Sequence, residues 1–352
     1  QVLAEAGAER YNKGVAAPRH SVEGYMRSLL LMLIAGCAVA QSPGTTYPSM
    51  KLRYDDPSTG NVAWRMTTDG AEHMIKNCLG DQSHESSSWS PDAARFCYGK
   101  KRESGCTSPK PEGVYMMDVA TGVETFLAPA DVSDHDGWIF SRDGSEVFYY
   151  FEINNSTVEV RAVNTSTFAV RTLNTLSPAG SVQKITINCD GSHIAVHHWA
   201  PDSLPQENYT AILSTATGQF HPNWPWDNAV RADDGTVWSP VDPRLVFARK
   251  DRQRIFNIDN LSTMPSQGSE IAHSMWHPNG TWYLSGSTNP NCKLIDITKS
   301  SPDNLIAELP TGRELRSAHP FAHPRDSARG MQARLVLDCG YAAPRSSALS
   351  II

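Results

Sequence analysis

The chain has 352 residues with 31 Lys and Arg against 37 Asp and Glu, a formal net charge of −6. That balance provides no basic stripe for a nucleic-acid backbone or an anionic lipid surface, so partners of those classes are excluded. The length suits one large domain.

Residues 1–25 precede a Met and are read as an upstream segment with no part in the fold. Met26-Arg27 then opens an apolar run, SLLLMLIAGCAVA, that ends on the small-x-small site Ala38-Val39-Ala40. A basic start, a short apolar stretch and such a site mark a secretory signal peptide over 26–40, with cleavage before Gln41. A signal anchor would carry a longer apolar run. The expected product is secreted, monomeric and clear of the membrane after cleavage.

From residue 50 onward the sequence is read as strand. The segment MKLRYDDPSTGNVAWRMT has the look of the last two strands of a four-stranded unit. Six copies of a strand-turn-strand pattern follow, anchored at Trp89, Phe140, Ile187, Trp238, Trp276 and Ala322. The anchors lie roughly 38 to 51 residues apart, the period of four-stranded propeller blades. Asp143-Gly144, Asp190-Gly191 and Asn279-Gly280 sit in the turns, where a positive φ is required. Further strands are expected at GVYMMDVATG, STVEVRAV, YTAILSTATG, RIFNID and CKLIDIT. The fold class is therefore all-β, a single propeller over 41–340 with six recognisable blades. Residues 50–68 are expected to share a blade with 319–338, so that no sheet edge stays open. A seven-bladed ring lacking its last blade is the competing reading. Residues 341–352 lose the strand pattern and read as an irregular tail.

Sequons stand at Asn154, Asn155, Asn164, Asn208, Asn260 and Asn279, mostly in or beside predicted turns, in keeping with secretion. Without Cys37, six cysteines remain, at 78, 97, 106, 189, 292 and 339. They are either local disulfides or buried thiols, and no spacing resembles a zinc site.

In a propeller the first strand of each blade lines the channel, so aligning the copies on their anchors sorts residues into layers. Three before the anchor stand Ser86, Gly137, Lys184, Gly235, His273 and His319. Five before stand His84, His135, Val182, Asp233, Ile271 and Ser317. Each such histidine taken singly also fits a hydrogen bond to a neighbouring blade. His273 and His319 share a layer in adjacent blades, which suits a metal ion or an acidic ligand. Trp224 and Trp226 could stack on sugar rings, or simply pack their loop.

The segments HSMWHPNGTWYLSG, ELRSAHPFAHPRD and DDPSTGNVAWRMTTDG resemble the oligogalacturonate lyases, TolB-like propellers that are secreted or periplasmic. The resemblance implies metal-assisted β-elimination on short uronic-acid oligosaccharides, with a Mn2+ ion in the channel. It places His273 and His319 as metal ligands, with Glu314 where that family carries a glutamine. Gly235 stands where its catalytic base is expected; a shifted register would present Asp233 or Arg231 there, and His135, Lys184 and His84 are the candidates for that role elsewhere in the layers. The second functional reading is a catalytically silent TolB-like propeller that binds a glycan or a protein at its channel mouth.

Overall fold

The computed structural model describes residues 41–55, 62–66, 73–74, 89–100, 110–130, 137–154, 156–177, 182–199, 208–223, 237–250, 252–262, 274–276, 279–285, 291–299, 303, 305–310, 319–322, 335–338 and 350–351. For 319–322 and 335–338 only the strand path is described. Among these residues the chain is all-β, in seven small antiparallel sheets. No helix among them is long and apolar enough to cross a membrane.

The first sheet has the order β1-β7-β6-β5-β4, from β1 (Thr46–Tyr47), β4 (His73–Met74), β5 (Arg95–Lys100), β6 (Gly113–Asp118) and β7 (Glu124–Ala128). The second runs β8 (Trp138–Phe140), β9 (Glu146–Asn154), β10 (Thr157–Asn164) and β11 (Val170–Leu176). The third has β12 (Val182–Ile187), β13 (His193–Trp199) and β14 (Asn208–Ser214); the fourth has β15 (Val237–Trp238), β16 (Leu245–Lys250) and β17 (Arg252–Asn257). The fifth is β18 (Ser274–Trp276), β19 (Trp282–Ser285), β20 (Asn291–Asp296) and β21 (Leu305–Pro310). Apart from β1 beside β7, neighbours in each sheet are neighbours in sequence, so the sheets are built from local antiparallel connections. β5 of the first sheet touches β8, and from there the first strands touch in succession, β8 to β12, β12 to β15, β15 to β18 and β18 to β22 (His319–Ala322).

Stacking buries both faces of the middle sheets. Ile139, Phe148, Val160 and Leu173 of the second sheet pack on Ile185, Val196 and Leu213 of the third. On the other face of β8, Trp138 and Phe140 join Cys97, Val114 and Leu127 of the first sheet. Ala195 and Ile212, on the second face of the third sheet, meet Trp238, Val246 and Phe256 of the fourth. Each fully buried aliphatic or aromatic side chain is worth about 1.5–3 kcal/mol against exposure. The alternation of β-branched and aromatic residues therefore serves two interfaces at once, one per strand face.

The predicted hairpin turns form as expected, with φ of +73° at Gly144, +79° at Gly191 and +68° at Gly280. They also lock neighbouring sheets together. Arg95 donates from the first sheet to the Gly144 carbonyl oxygen at 3.3 Å. Arg142 donates to the carbonyl oxygens of Ile187 and Asn188, both at 2.8 Å, and Asn188 donates to that of Pro243 at 3.1 Å. Val241 fills the space that a Cβ on Gly280 would take, coming within 1.9 Å of that position.

The chain ends differ from expectation. β2 (Leu52–Asp55) and β3 (Val62–Arg65) pair only with each other among the described residues. β22 pairs with β23 (Leu335–Asp338), whose other edge takes β24 (Ser350–Ile351). The shared blade expected from 50–68 and 319–338 is thus absent among the described pairings, because residues 350–351 fill the edge of β23. Those two residues are strand where an irregular tail was expected. β1 meanwhile covers the outer edge of β7, through Thr46 opposite Thr125.

Candidate functional site

Most residues singled out from the sequence lie outside the described ones: His84, His135, Gly235, His273, Glu314, Trp224 and Trp226. His319 opens β22, and its side chain is not described. β18 begins at Ser274, the residue after His273, and packs beside β22. The strand that follows the His273 position and the strand that opens at His319 are therefore neighbours. Among the described residues no three His, Cys, Asp or Glu side chains converge on a metal position.

Lys184 is described, and its setting is informative. It sits on β12 opposite His197 of β13, which in turn lies opposite Thr210 of β14. All three are buried, at 5%, 2% and 3% exposure. Residues directly opposite in an antiparallel sheet share a face. Thr186, Ala195 and Ile212 form the next row on that face, and the last two pack on the fourth sheet. Lys184 therefore belongs to a polar row turned toward the neighbouring sheet. Of the other layer positions described, Val182 is buried in the core between the second and third sheets, and Gly137 has the Tyr150 ring where a Cβ would stand, 1.9 Å from it. A position counted from the anchor fixes the height along a strand. It does not open that height to the channel.

Sequence reasoning missed a histidine pair. His193 opens β13 and His221 follows β14, with ring centroids 5.4 Å apart and edge to face. His193 Nδ1 lies 2.9 Å from Ser192 Oγ, which donates to Asp190 at 2.7 Å. His221 Nε2 approaches Asp259 of the fourth sheet at 3.6 Å. Burial, and next the adjacent His221, hold the His193 imidazole below its usual pKa, so the neutral ring is favoured. The available signal was position, since His193 follows an Asp-Gly turn and His221 follows the Thr-Gly turn of the same sheet.

A cavity of about 440 Å3 opens between the second and third sheets, lined by Ser141, Arg142, Asp143, Glu146, Arg171 and Asp190 among others. Its cations are already engaged. Arg171 forks onto Glu146 with two bonds of 2.8 Å and also donates to the Thr215 carbonyl oxygen. Asp143 accepts from Ser141 and Ser145, and those bonds lower its pKa to about 2. An anionic ligand would have to displace Glu146, so this cavity is a seam between sheets.

No family model matches the sequence, and no curated protein matches it. The fold does match solved structures. An oligogalacturonate lyase in complex with manganese superposes with a TM-score of 0.58 at 14% identity, covering 85% of this chain and 80% of that one. An oligogalacturonate lyase from Vibrio parahaemolyticus gives 0.60 at 12% identity, covering 87% and 82%. The class is thus an all-β protein with the fold of the oligogalacturonate lyase propellers. At these identities the likeness is one of fold.

Proposed function

We propose that this chain is a secreted lyase of the oligogalacturonate type, acting on short uronic-acid oligosaccharides by metal-assisted β-elimination. The observation that carries this reading is the match over most of both chains to two such lyases, one holding manganese. The adjacency of β18 and β22 adds support, because β18 begins at the residue after His273 and β22 begins at His319.

Elimination across C4 and C5 of a uronate needs a cation beside the carboxylate and a base at the C5 proton. His273, His319 and Glu314 would hold the cation; imidazole with carboxylate is a donor set that suits Mn2+. When bound, the ion would neutralise the uronate carboxylate and so acidify the C5 proton. His135 is the first candidate for the base, ahead of Lys184 and His84, since an imidazole is half neutral near pH 7 without perturbation. The burial of Lys184 in a row with His197 lowers its claim.

The second reading, a silent TolB-like propeller that binds a glycan or a protein, rests on the same burial and on Gly235 at the position of the family's base. One assay separates the two. Digestion of oligogalacturonides with Mn2+ present generates the ultraviolet absorbance of an unsaturated uronate, and His135→Ala lowers the rate by about two to four orders of magnitude. Absence of absorbance from folded protein on every polyuronide tried selects the binding propeller. Unchanged metal content after His273→Ala with His319→Ala removes the ligand assignment.

A further inference from the structure

Of the sequons in this chain, the structure singles out one. Among the described residues β8 pairs with β9 from Trp138 opposite Tyr149 to Phe140 opposite Val147, and β9 runs on to Asn154. β11 flanks β10 as far as Leu176 opposite Val158, which itself faces Glu152, so only the end of the β9–β10 hairpin, from Ile153 to Thr157, runs past β11. Asn154 stands opposite Thr157 at its tip, with Ser156 in the turn.

Asn154 is exposed, and so is Ser156. Its side-chain Oδ1 accepts from the Ser156 backbone N–H at 3.0 Å and from the Ser156 hydroxyl at 3.1 Å. Both bonds engage Oδ1, and among the described residues Nδ2 takes no partner. Ser156 is also the hydroxyl residue of this sequon. The exposed side chain beside it, Ile153 at 48%, gives a bulky polar substituent something to shield.

The other described sequons occupy worse ground. Asn164, Asn260 and Asn279 all lie in turns at the opposite end of the strands, where the sheets lock. Thr165, next to Asn164, is 5% exposed and bonds the Gly144 carbonyl oxygen at 3.0 Å. Asp259, beside Asn260, takes His221 of the third sheet at 3.6 Å, and Asn223 donates to its carbonyl oxygen. Gly280, beside Asn279, is the seat of Val241. In the Asn208 sequon, Thr210 is 3% exposed within β14.

We infer that Asn154 carries an N-linked glycan, at higher occupancy than any sequon of the locked end. The inference rests on the proposed passage through the secretory route. The donor is a lipid-pyrophosphate-linked oligosaccharide. Asn154 Nδ2 forms the bond to the anomeric carbon, the bond from that carbon to the pyrophosphate oxygen breaks, the lipid pyrophosphate leaves with the electron pair, and the amide proton passes to the transferase base. Transfer precedes folding, so the fold acts as a filter: a sugar at the hairpin tip meets solvent, and one at a seam meets the next sheet.

The test expresses the full chain with its own leader in a eukaryotic secretory host and maps glycosylated asparagines by enzymatic release in heavy-oxygen water. The same chain from a bacterial cytosol gives the unmodified mass. Asn154→Gln and Ser156→Ala each remove one glycan from the intact mass. The second variant leaves the overlapping sequon at Asn155, with Thr157, intact, so the mass loss reports Asn154 itself. Full mass in both variants, or equal occupancy at Asn164, Asn260 or Asn279, overturns the inference. Failure of export from the chain's own leader counts against secretion alone, and the same mapping behind a foreign leader then decides Asn154.

Discussion

The third sheet and the β2–β3 hairpin are both antiparallel, both short and both rich in apolar residues, yet their environments are opposite. In the third sheet Ile185, Ile187, Val196 and Ala211 are at 0–1% exposure, packed between neighbours on both faces. On the hairpin Leu52, Tyr54, Val62 and Trp64 stand at 45–49% exposure. Backbone pairing is complete in each, four registered pairs joining β2 to β3. What separates them is stacking. Hydrogen bonding shapes a strand, but burial against the next sheet supplies the stabilising term.

The sharpest way to test that contrast is to remove side chains on the two sides of it. Ile185→Ala, in the seam between the second and third sheets, costs about 2–5 kcal/mol by the transfer and cavity terms together. Urea denaturation reads the loss, and a value under about 1 kcal/mol would mean that the seam can collapse around the gap. Gly218→Ala strikes the outer edge of the same seam. Its φ is +71°, and a Cβ there would stand 1.9 Å from the Leu173 carbonyl oxygen, which belongs to the second sheet. Strain at such a backbone costs about 1–3 kcal/mol before the clash is counted, and the melting temperature falls accordingly.

The histidine pair makes the seam between the third and fourth sheets dependent on pH. His193 has a folded pKa below its unfolded value near 6.5. Protons are then bound more readily by the unfolded chain. The stability contributed by neutral His193 is whole above about pH 6.5 and declines as pH drops toward the folded pKa. Denaturant midpoints measured from pH 8 to pH 5 decline, and His193→Gln flattens part of that decline. An unchanged slope would show that the ring titrates alike in both states. Asp143 acts in a separate window: its contribution is present above its unfolded value near 4 and is lost toward about pH 2.

The smallest effect belongs to the hairpin. Trp64 is a larger side chain than Ile185, yet its described partner is the Lys51 ammonium, 4.2 Å from the ring centroid. Lys51 in turn donates to the Val119 carbonyl oxygen at 2.7 Å, which tethers the hairpin to the first sheet. An exposed cation–π contact is worth about 0.5–1 kcal/mol, so Trp64→Ala changes the unfolding free energy by no more than that. A loss comparable to that of Ile185→Ala would reveal a partner surface on the hairpin.

The fold was legible because its signals are local. Strand alternation and the Asp-Gly and Asn-Gly turns at 143, 190 and 279 are each written within a few residues. The match to lyase propellers agrees with the class they implied. The polar turn before each fourth strand was equally readable and passed over. Asp118, Asn164 and Asp296 each accept from backbone N–H groups two or three residues on. The candidate site was less legible for a physical reason. Alignment on an anchor gives height along a strand, whereas access to a channel depends on what the adjacent sheet presents. Lys184 shows the difference, being level with the predicted layer and buried toward the fourth sheet. The His193–His221 contact joins residues 28 apart in number across one sheet, and no periodicity points to it.

The turns that lock one sheet to the next also set the order in which the molecule can come apart. Arg95, Arg142, Asn188 and Val241 each reach only the adjoining sheet, so every unit leans on its immediate neighbours. Such a chain of couplings behaves like a one-dimensional array, in which a unit with two intact neighbours is protected and a unit at an end frays first. Amide exchange should accordingly be slowest in β9, β10 and β13 and quicken toward β2–β3 and β22–β24. A protease would then find its first cut near a terminus, with the second and third sheets surviving as the last folded fragment.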